Sequence, residues 1–169
     1  MQELWDLYDI KRNPLGLTHV RGTRMRRGTY HIAVGIWTVN DRNEILITLR
    51  SPEKHDWPDL WENTAGSLLA GETSRQGAVR ELFEETGYAG SEPVFLCKVA
   101  PNAACISNFA HCYLIRDCKK VSSQHLDATE DLEIVVMSAE ETKKLMAEGG
   151  LVQAVHVAAM YYAEKILNK

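Results

Sequence analysis

Polar and apolar positions along the chain follow two periods. Tyr30–Asn40 reads YHIAVGIWTVN, a run of Ile, Val, Trp and Thr that predicts a strand. Asp41-Arg42-Asn43 is turn chemistry, and Glu44–Arg50 predicts a second strand paired with the first as a hairpin. Val94–Ala100, Asn108–Asp117 and Leu132–Met137 read as further strands. Near the start, Glu3–Asp9 alternates Leu4, Leu7 and Tyr8 with acids as an edge strand would. Lys11–Pro14 turns the chain, and Leu15–Val20 returns as the partner strand. Pro52 to Pro58 reads as loop. The helical period is clearest over Thr73–Thr86, where Val79, Leu82 and Phe83 fall at i, i+3 and i+4 and Gly87 is a stop signal. Those three residues are expected to pack on a sheet. Ser138-Ala139-Glu140-Glu141 is a capping box opening a helix to about Glu148, ended by Gly149-Gly150. A last amphipathic helix runs from about Val152 to Leu167. Val152, Val155, Ala159 and Tyr162 on it are expected to cover the core and to form part of a homodimer interface.

Strands before, between and after a few helices predict one mixed α/β (α+β) domain of layered type over residues 1–169. Within it, residues 1–28 form an N-terminal hairpin extension and 138–169 the C-terminal helices. A length of 169 residues is about one domain and enough to bury a core unaided. The 19 Lys+Arg against 23 Asp+Glu give a formal net charge of −4, which disfavours a nucleic-acid polymer or an anionic membrane as partner. No apolar run approaches the 18 or so residues of a membrane helix. MQELWDLYD lacks the basic and apolar regions of a signal peptide, so a cytoplasmic protein is expected. Cys97, Cys105, Cys112 and Cys118 form no CxxC pair and are expected to be reduced, buried thiols.

Residues 66–88, GSLLAGETSRQGAVRELFEETGY, carry the candidate chemistry. On a helix, Glu81, Glu84 and Glu85 share one face within an arc of about 100°. Three like charges so close repel one another. Arg80, at i,i+4 from Glu84, offsets part of that, and a divalent cation is the natural complement for the rest. A loop beginning at Gly66 can fold Glu72 back over the same face. Ligands that are all carboxylate oxygen suit Mg²⁺ or Mn²⁺ and not zinc. Mg²⁺ held by a few carboxylates commonly meets substrate phosphates, so a phosphorylated substrate is implied. The plainer reading of the same residues is a solvated, Glu-rich helix face.

The segment resembles the Nudix box, G-x5-E-x7-R-E-U-x-E-E-x-G-U, in which U is a bulky apolar residue. Gly66, Glu72, Arg80, Glu81, Leu82, Glu84, Glu85 and Gly87 match in register. Tyr88 is an aromatic where an aliphatic residue is usual. At average residue usage a chance match is well below ~10⁻⁶. The resemblance to this MutT-like hydrolase family implies a mixed sheet sandwiched between helices. It also implies hydrolysis of a nucleoside diphosphate linked to another moiety, or of a similar organic pyrophosphate. Carried over by position, Glu81, Glu84 and Glu85 would be metal ligands, with Glu72 assisting. Arg80 would orient a catalytic glutamate. Glu84, Glu85 and Arg80 are thus the expected catalytic group. Some family members place the general base in a loop before the last strand, which makes Glu130, Asp131 and Glu133 weaker candidates; solvated loop acids is their simpler reading.

The stretch before the box is similar to isopentenyl-diphosphate isomerases: Tyr30–Val34, Leu49-Arg50, Lys54, and Trp57–Thr64. In that family the corresponding Arg and Lys grip the diphosphate, and the His matching His31 binds the metal. Arg50, Lys54 and Gly66 are therefore the expected substrate-binding residues. The isomerases carry a catalytic Cys at the start of the box and a His after it, whereas Asn63–Ser67 has neither. Acidic ligands expected on the later strand are missing from Lys98–Asp117, save Asp117 itself. Hydrolysis is the preferred reading, with isomerisation and a non-catalytic metabolite-binding module as alternatives. Arg21, Arg24, Arg26 and Arg27 read as a solvated basic loop, with steering of an anionic substrate as the alternative, His31 as structural, and Trp57 and Trp61 as core or loop anchors, with stacking on a base as the alternative.

Overall fold

The computed structural model describes residues 2–53, 57–102, 109–126 and 131–167. Lys54, Cys105 and Glu130 lie outside them. The first two strands, β1 (Leu4–Tyr8) and β2 (Pro14–Val20), form a two-stranded sheet of their own, and Tyr8 also bridges to Tyr30. The main sheet is built on β3 (Ala33–Val39) and β4 (Ile45–Arg50), which pair antiparallel only beside their turn, at Thr38↔Leu46 and Val39↔Ile45. Beyond that point the two strands diverge. The fork between them is filled by β5 (Trp61–Glu62), which pairs with β4, and β6 (Thr64–Ser67), which pairs with β3. The remaining elements are α1 (Ser74–Thr86), β7 (Tyr88–Ala89), β8 (Val94–Val99), β9 (Ala110–Ile115), β10 (Lys119–Lys120), β11 (Leu132–Met137), α2 (Ala139–Ala147) and α3 (Ala154–Leu167). The large sheet runs β11-β4-β3-β9-β8, with β9 parallel to β3, while β7 and β10 form a small separate pair.

Both faces of the large sheet are covered, which explains the near-continuous apolar run of β3. Val34 and Ile36 point to one core with Leu68, Ala78, Leu82, Tyr113 and Ile115, beneath α1. Trp37 and Val39 point to the other, with Ile45, Ile47, Leu114, Ala159, Met160 and Ala163, beneath α3. This is a mixed sheet between helices, as the resemblance of residues 66–88 implies. On α3, Ala159 is buried, but Tyr162 and the preceding Val152 are exposed. Among the described residues no helix is long and apolar enough to cross a membrane.

The face that α1 turns to the sheet differs from the expected one. Leu82 is buried, but Val79 is 48% and Phe83 38% exposed, while Gly77, Ala78, Glu85 and Thr86 are buried. The helix is rotated so that small residues meet the sheet. Gly77 lies where a Cβ would press on the Leu68 side chain.

His156 sits in the α3 core, 2% exposed, with its Nδ1 3.4 Å from the Asn63 N–H and its carbonyl accepting from Trp37 Nε1 at 3.1 Å. Burial pushes its pKa down to about 4. The folded state therefore holds it neutral while the unfolded chain protonates near pH 6.5. Its stability contribution is complete above that value and falls by about 3 kcal/mol as the pH drops through 6.5 to about 4. The acid limb of urea-unfolding free energy is expected to be shallower in His156→Gln than in wild type; parallel limbs between pH 7 and 4.5 would refute this.

Candidate active site

The start of the box lies at the fork in the sheet. Gly66 is in β6, and a Cβ there would collide with the Glu81 carboxylate. The absence of a side chain at 66 is what lets Glu81, on α1, lie against the strand. After β6 the chain turns at Gly71, whose φ of +85° favours glycine. In this turn the Glu72 carboxylate accepts the Leu69 N–H at 2.9 Å, which fixes it above its own loop. Thr73 then caps α1, exchanging hydrogen bonds with Gln76 as a capping box.

Arg80 joins the loop to the helix. Its Nε donates to Glu72 Oε1 at 2.7 Å and its Nη2 to Glu72 Oε2 at 3.0 Å, a two-pronged bond. Nη2 also donates to the Ser67 carbonyl at 3.0 Å, and Nη1 to Glu84 at 2.9 Å. Glu81 Oε1 lies 3.1 Å from Nη1. Four of the five guanidinium N–H groups thus have a hydrogen-bond acceptor, and Glu81 adds an ion pair. Burial works against the charge of Arg80, but the hydrogen bonds of Glu72 and Glu84 and the attraction of Glu81 hold its pKa above the ordinary value. Burial would likewise raise Glu72, yet Arg80 and the Leu69 N–H hold its carboxyl below the usual range.

The C-terminal end of α1 is completed by the segment 121–126. The Gly87 carbonyl accepts from the N–H groups of Val121 and Ser122, and the Glu84 carbonyl from that of His125 at 2.7 Å. Gln124 Nε2 bridges the carbonyls of Glu85 and Leu132 at 2.9 and 3.1 Å, tying the helix to β11. These bonds satisfy carbonyls that a helix end leaves open. Gly87 takes φ +71°, and a Cβ on it would strike the Ser122 carbonyl, so both backbone angle and space require glycine. His125 stacks on Phe83, with ring centroids 5.4 Å apart.

Glu81, Glu84 and Glu85 line one cavity of about 90 Å³ with Arg80, His125, Glu3 and Arg21. Sequence reasoning missed His125 and Glu3 at this site and weighed Arg21 only as part of a loop that steers an anionic substrate. They reach it through tertiary contacts, and no spacing in the chain signals that. Among the described residues no three His, Cys, Asp or Glu side chains already form a closed metal-binding group. Arg80 stands between Glu72, Glu81 and Glu84, and a cation that draws on Glu81 or Glu84 must share them with it. Apart from the His125 ring, the side chains lining the cavity that can donate to a metal are carboxylates, a set that fits a hard divalent cation, with Glu81, Glu84 and Glu85 as the residues able to hold one.

Other expected site residues lie elsewhere. Arg50 lines a cavity of about 360 Å³ with Trp57, Leu60, Val152 and Gln153. Its guanidinium donates to the Trp57 carbonyl at 3.1 Å and to Glu62 at 3.2 Å. Asp131 and Glu133 line a further cavity with Arg50 and Ser51, not the glutamate cavity. His31 stacks on Trp5 at 4.3 Å, and burial, then the charge of His19, lower its pKa. Trp57 is 70% exposed, whereas Trp61 packs on the α3 core.

The family described as NUDIX domain matches residues 29–155. An uncharacterized Nudix hydrolase of Listeria monocytogenes is 41% identical over 86 residues, 50% of this chain and 51% of that protein. The isopentenyl-diphosphate Delta-isomerase of Corynebacterium diphtheriae is 34% identical over 73 residues, 43% of this chain and 40% of that one. The chain spans about half the length of the curated relatives it matches. Among solved structures, that of an ADP compounds hydrolase superposes with a TM-score of 0.72 at 20% identity, covering 99% of this chain and 94% of that one, a likeness of fold.

Proposed function

The chain belongs to the Nudix family, and on that premise we propose that it hydrolyses the pyrophosphate bond of a small nucleoside-diphosphate-linked or related organic compound with Mg²⁺, for which Mn²⁺ can substitute. The observation that carries this reading is the convergence of Glu81, Glu84 and Glu85 on one cavity, with Arg80 fixing Glu72, Glu81 and Glu84 around it. A bound Mg²⁺ would neutralise charge on the phosphoryl oxygens and lower the pKa of a held water. The protein's own part is positional. Gly66 leaves room for the Glu81 carboxylate against β6. The segment 121–126 holds the end of α1, so that Glu84 and Glu85 keep their direction. The cavity's size suits a compact group such as a diphosphate more than a whole nucleotide.

The experiment is phosphate release from nucleotide sugars, dinucleotides, nucleoside triphosphates and prenyl diphosphates, with and without Mg²⁺. Cation-dependent hydrolysis of at least one pyrophosphate is expected. A folded protein inert on all of them would refute the hydrolase reading, and conversion of isopentenyl to dimethylallyl diphosphate would replace it with the isomerase reading. Against the latter, no thiol stands at residues 63–67. Cys97, Cys112 and Cys118 are buried, and burial pushes the thiols of Cys112 and Cys118 up to about 12.

A further inference from the structure

The glutamate cavity, at about 90 Å³, has room for a diphosphate but not for what the diphosphate is linked to. A larger cavity of about 360 Å³ opens between the end of β4, the segment 57–60 and the residues just before α3. Arg50 ties these pieces together. Its N–H donates to the Leu60 carbonyl at 3.0 Å, its Nε to the Trp57 carbonyl at 3.1 Å and its Nη1 to Glu62 at 3.2 Å. Glu62 accepts in turn from Gln153 Nε2 at 2.9 Å. The backbone of Trp57 and the amide of Gln153 are thus held from one guanidinium, the first directly and the second through Glu62. Both residues line the cavity, with Leu60 and Val152 beside them.

Two side chains indicate what this cavity takes. Trp57 is 70% exposed, although folding ordinarily hides most of an indole's large apolar area. A wide aromatic face left in water beside Leu60 and Val152 fits a flat ring that stacks on it. Gln153 supplies the polar complement. Its bond to Glu62 uses one amide N–H, and the other N–H and the amide oxygen have no partner among the described residues. A side-chain amide with both groups available matches a base edge that carries an N–H beside an acceptor. A prenyl chain would cover that amide without pairing it, which weakens binding. A sugar would pair with the amide but offers the indole no flat π face. The residues that set the two cavities, Glu62 and Gly66, are four apart along β5 and β6. Extended chain spans at most about 13 Å over that interval, within reach of an extended nucleoside diphosphate. We propose that Trp57 and Gln153 form a nucleobase subsite, with Trp57 stacking on the face of the base and Gln153 reading its edge. The substrate is then a nucleoside-diphosphate-linked compound and not a prenyl diphosphate. This rests on the pyrophosphate reading above and adds to it the organic half of the substrate.

The test needs no turnover. AMP, CMP, GMP, UMP, ribose 5-phosphate and dimethylallyl monophosphate are titrated calorimetrically into the 169-residue protein with Mg²⁺. At least one nucleotide is expected to bind about tenfold or more tightly than ribose 5-phosphate, and to quench tryptophan fluorescence. Trp57→Ala should abolish the quench and weaken that nucleotide by about five- to a hundredfold, the usual loss for a stacked base. Trp57→Phe should recover part of the affinity. Gln153→Ala should weaken it by a few-fold to about tenfold, the usual loss for a neutral hydrogen-bonding partner. Tyr161→Ala removes an exposed aromatic from α3 and should bind as wild type does. Melting temperatures of the Trp57 variants should be unchanged, since the ring is exposed. Nucleotides that bind no better than ribose 5-phosphate overturn the assignment, as does a folded Trp57→Ala protein that binds within twofold of wild type. Gln153→Ala that binds every nucleotide as wild type does overturns the edge contact. Dimethylallyl monophosphate binding more tightly than every nucleotide overturns the subsite in favour of an apolar chain. Nucleotide binding through Trp57 without hydrolysis of any pyrophosphate upholds the subsite and refutes the hydrolase. Hydrolysis whose KM is unchanged in Trp57→Ala upholds the hydrolase and refutes the subsite.

Discussion

Replacing Glu85 by Gln is expected to lower metal-dependent turnover by about a hundredfold or more, while the protein stays folded. The size follows from the charge that a cation neutralises in the transition state. Losing several kcal/mol of that stabilisation at ~1.4 kcal/mol per decade costs two decades or more. Glu85 is 9% exposed, lies on the same helix face as Glu81 and Glu84, and lines their cavity. Gln keeps the shape and one carbonyl oxygen but removes the charge. Like charges at i,i+4 destabilise a helix by a few tenths of a kcal/mol, so removing one of three relieves part of that repulsion. Glu84→Gln should lose activity to a similar degree but melt somewhat lower, since Glu84 accepts from Arg80 at 2.9 Å. The measurements are kcat/KM against Mg²⁺ concentration, with thermal melting by circular dichroism. Full activity in either variant would remove that residue from the assigned set, and a variant that unfolds would show that its charge serves the fold.

The helix glutamates are legible in the sequence because a helix converts spacing directly into a shared face, and Arg80 is legible for the same reason. The large strands are legible because β3, β4 and β9 are buried on both sides and so almost uniformly apolar. The short strands β5 and β6 are not, since Trp61–Ser67 contains Asn, Thr and Gly and owes its strand form to the fork between β3 and β4. The orientation of α1 misleads for a related reason. The apolar residues Val79 and Phe83 suggest a sheet-facing stripe, yet the site requires Glu85 to turn inward, and Gly77 and Ala78 supply the close packing instead. Phe83 is used outside the core, against His125. Arg21 reads as one of four arginines in a basic loop. Its pair with Glu3 and the hydrogen bonds of the hairpin to Ala70 and Gly71 are what bring it to the glutamate cavity.

Arg80→Met removes a cation that three glutamates share, and it is expected to be the most destabilising single change at the site. Glu72 and Glu81 have side chains only 19% and 13% exposed, and Glu84 is 44% exposed. Breaking a buried ion pair by deleting one partner costs about 3–5 kcal/mol; with Glu84 partly solvated, the lower end, about 3 kcal/mol, is the expected loss. For a chain of this size that lowers the melting temperature by roughly 10 °C. Arg80→Lys should restore only part, because an ammonium has three donors and cannot make the two-pronged bond to Glu72. The effect depends on pH in a defined direction. In wild type the folded-state pKa of Glu72 is depressed, so its stabilisation is present above the ordinary carboxylate range and is lost as pH falls through the depressed value. In Arg80→Met, burial of Glu72 is left without a counter-charge. Its pKa then rises above the unfolded value, and protonation relieves the strain instead. Stability of wild type and variant should therefore differ most near pH 7 and converge toward pH 4. Urea unfolding of both proteins across that range measures the gap, and a gap that stays constant would show that Arg80 stabilises the fold by packing and not by its charge.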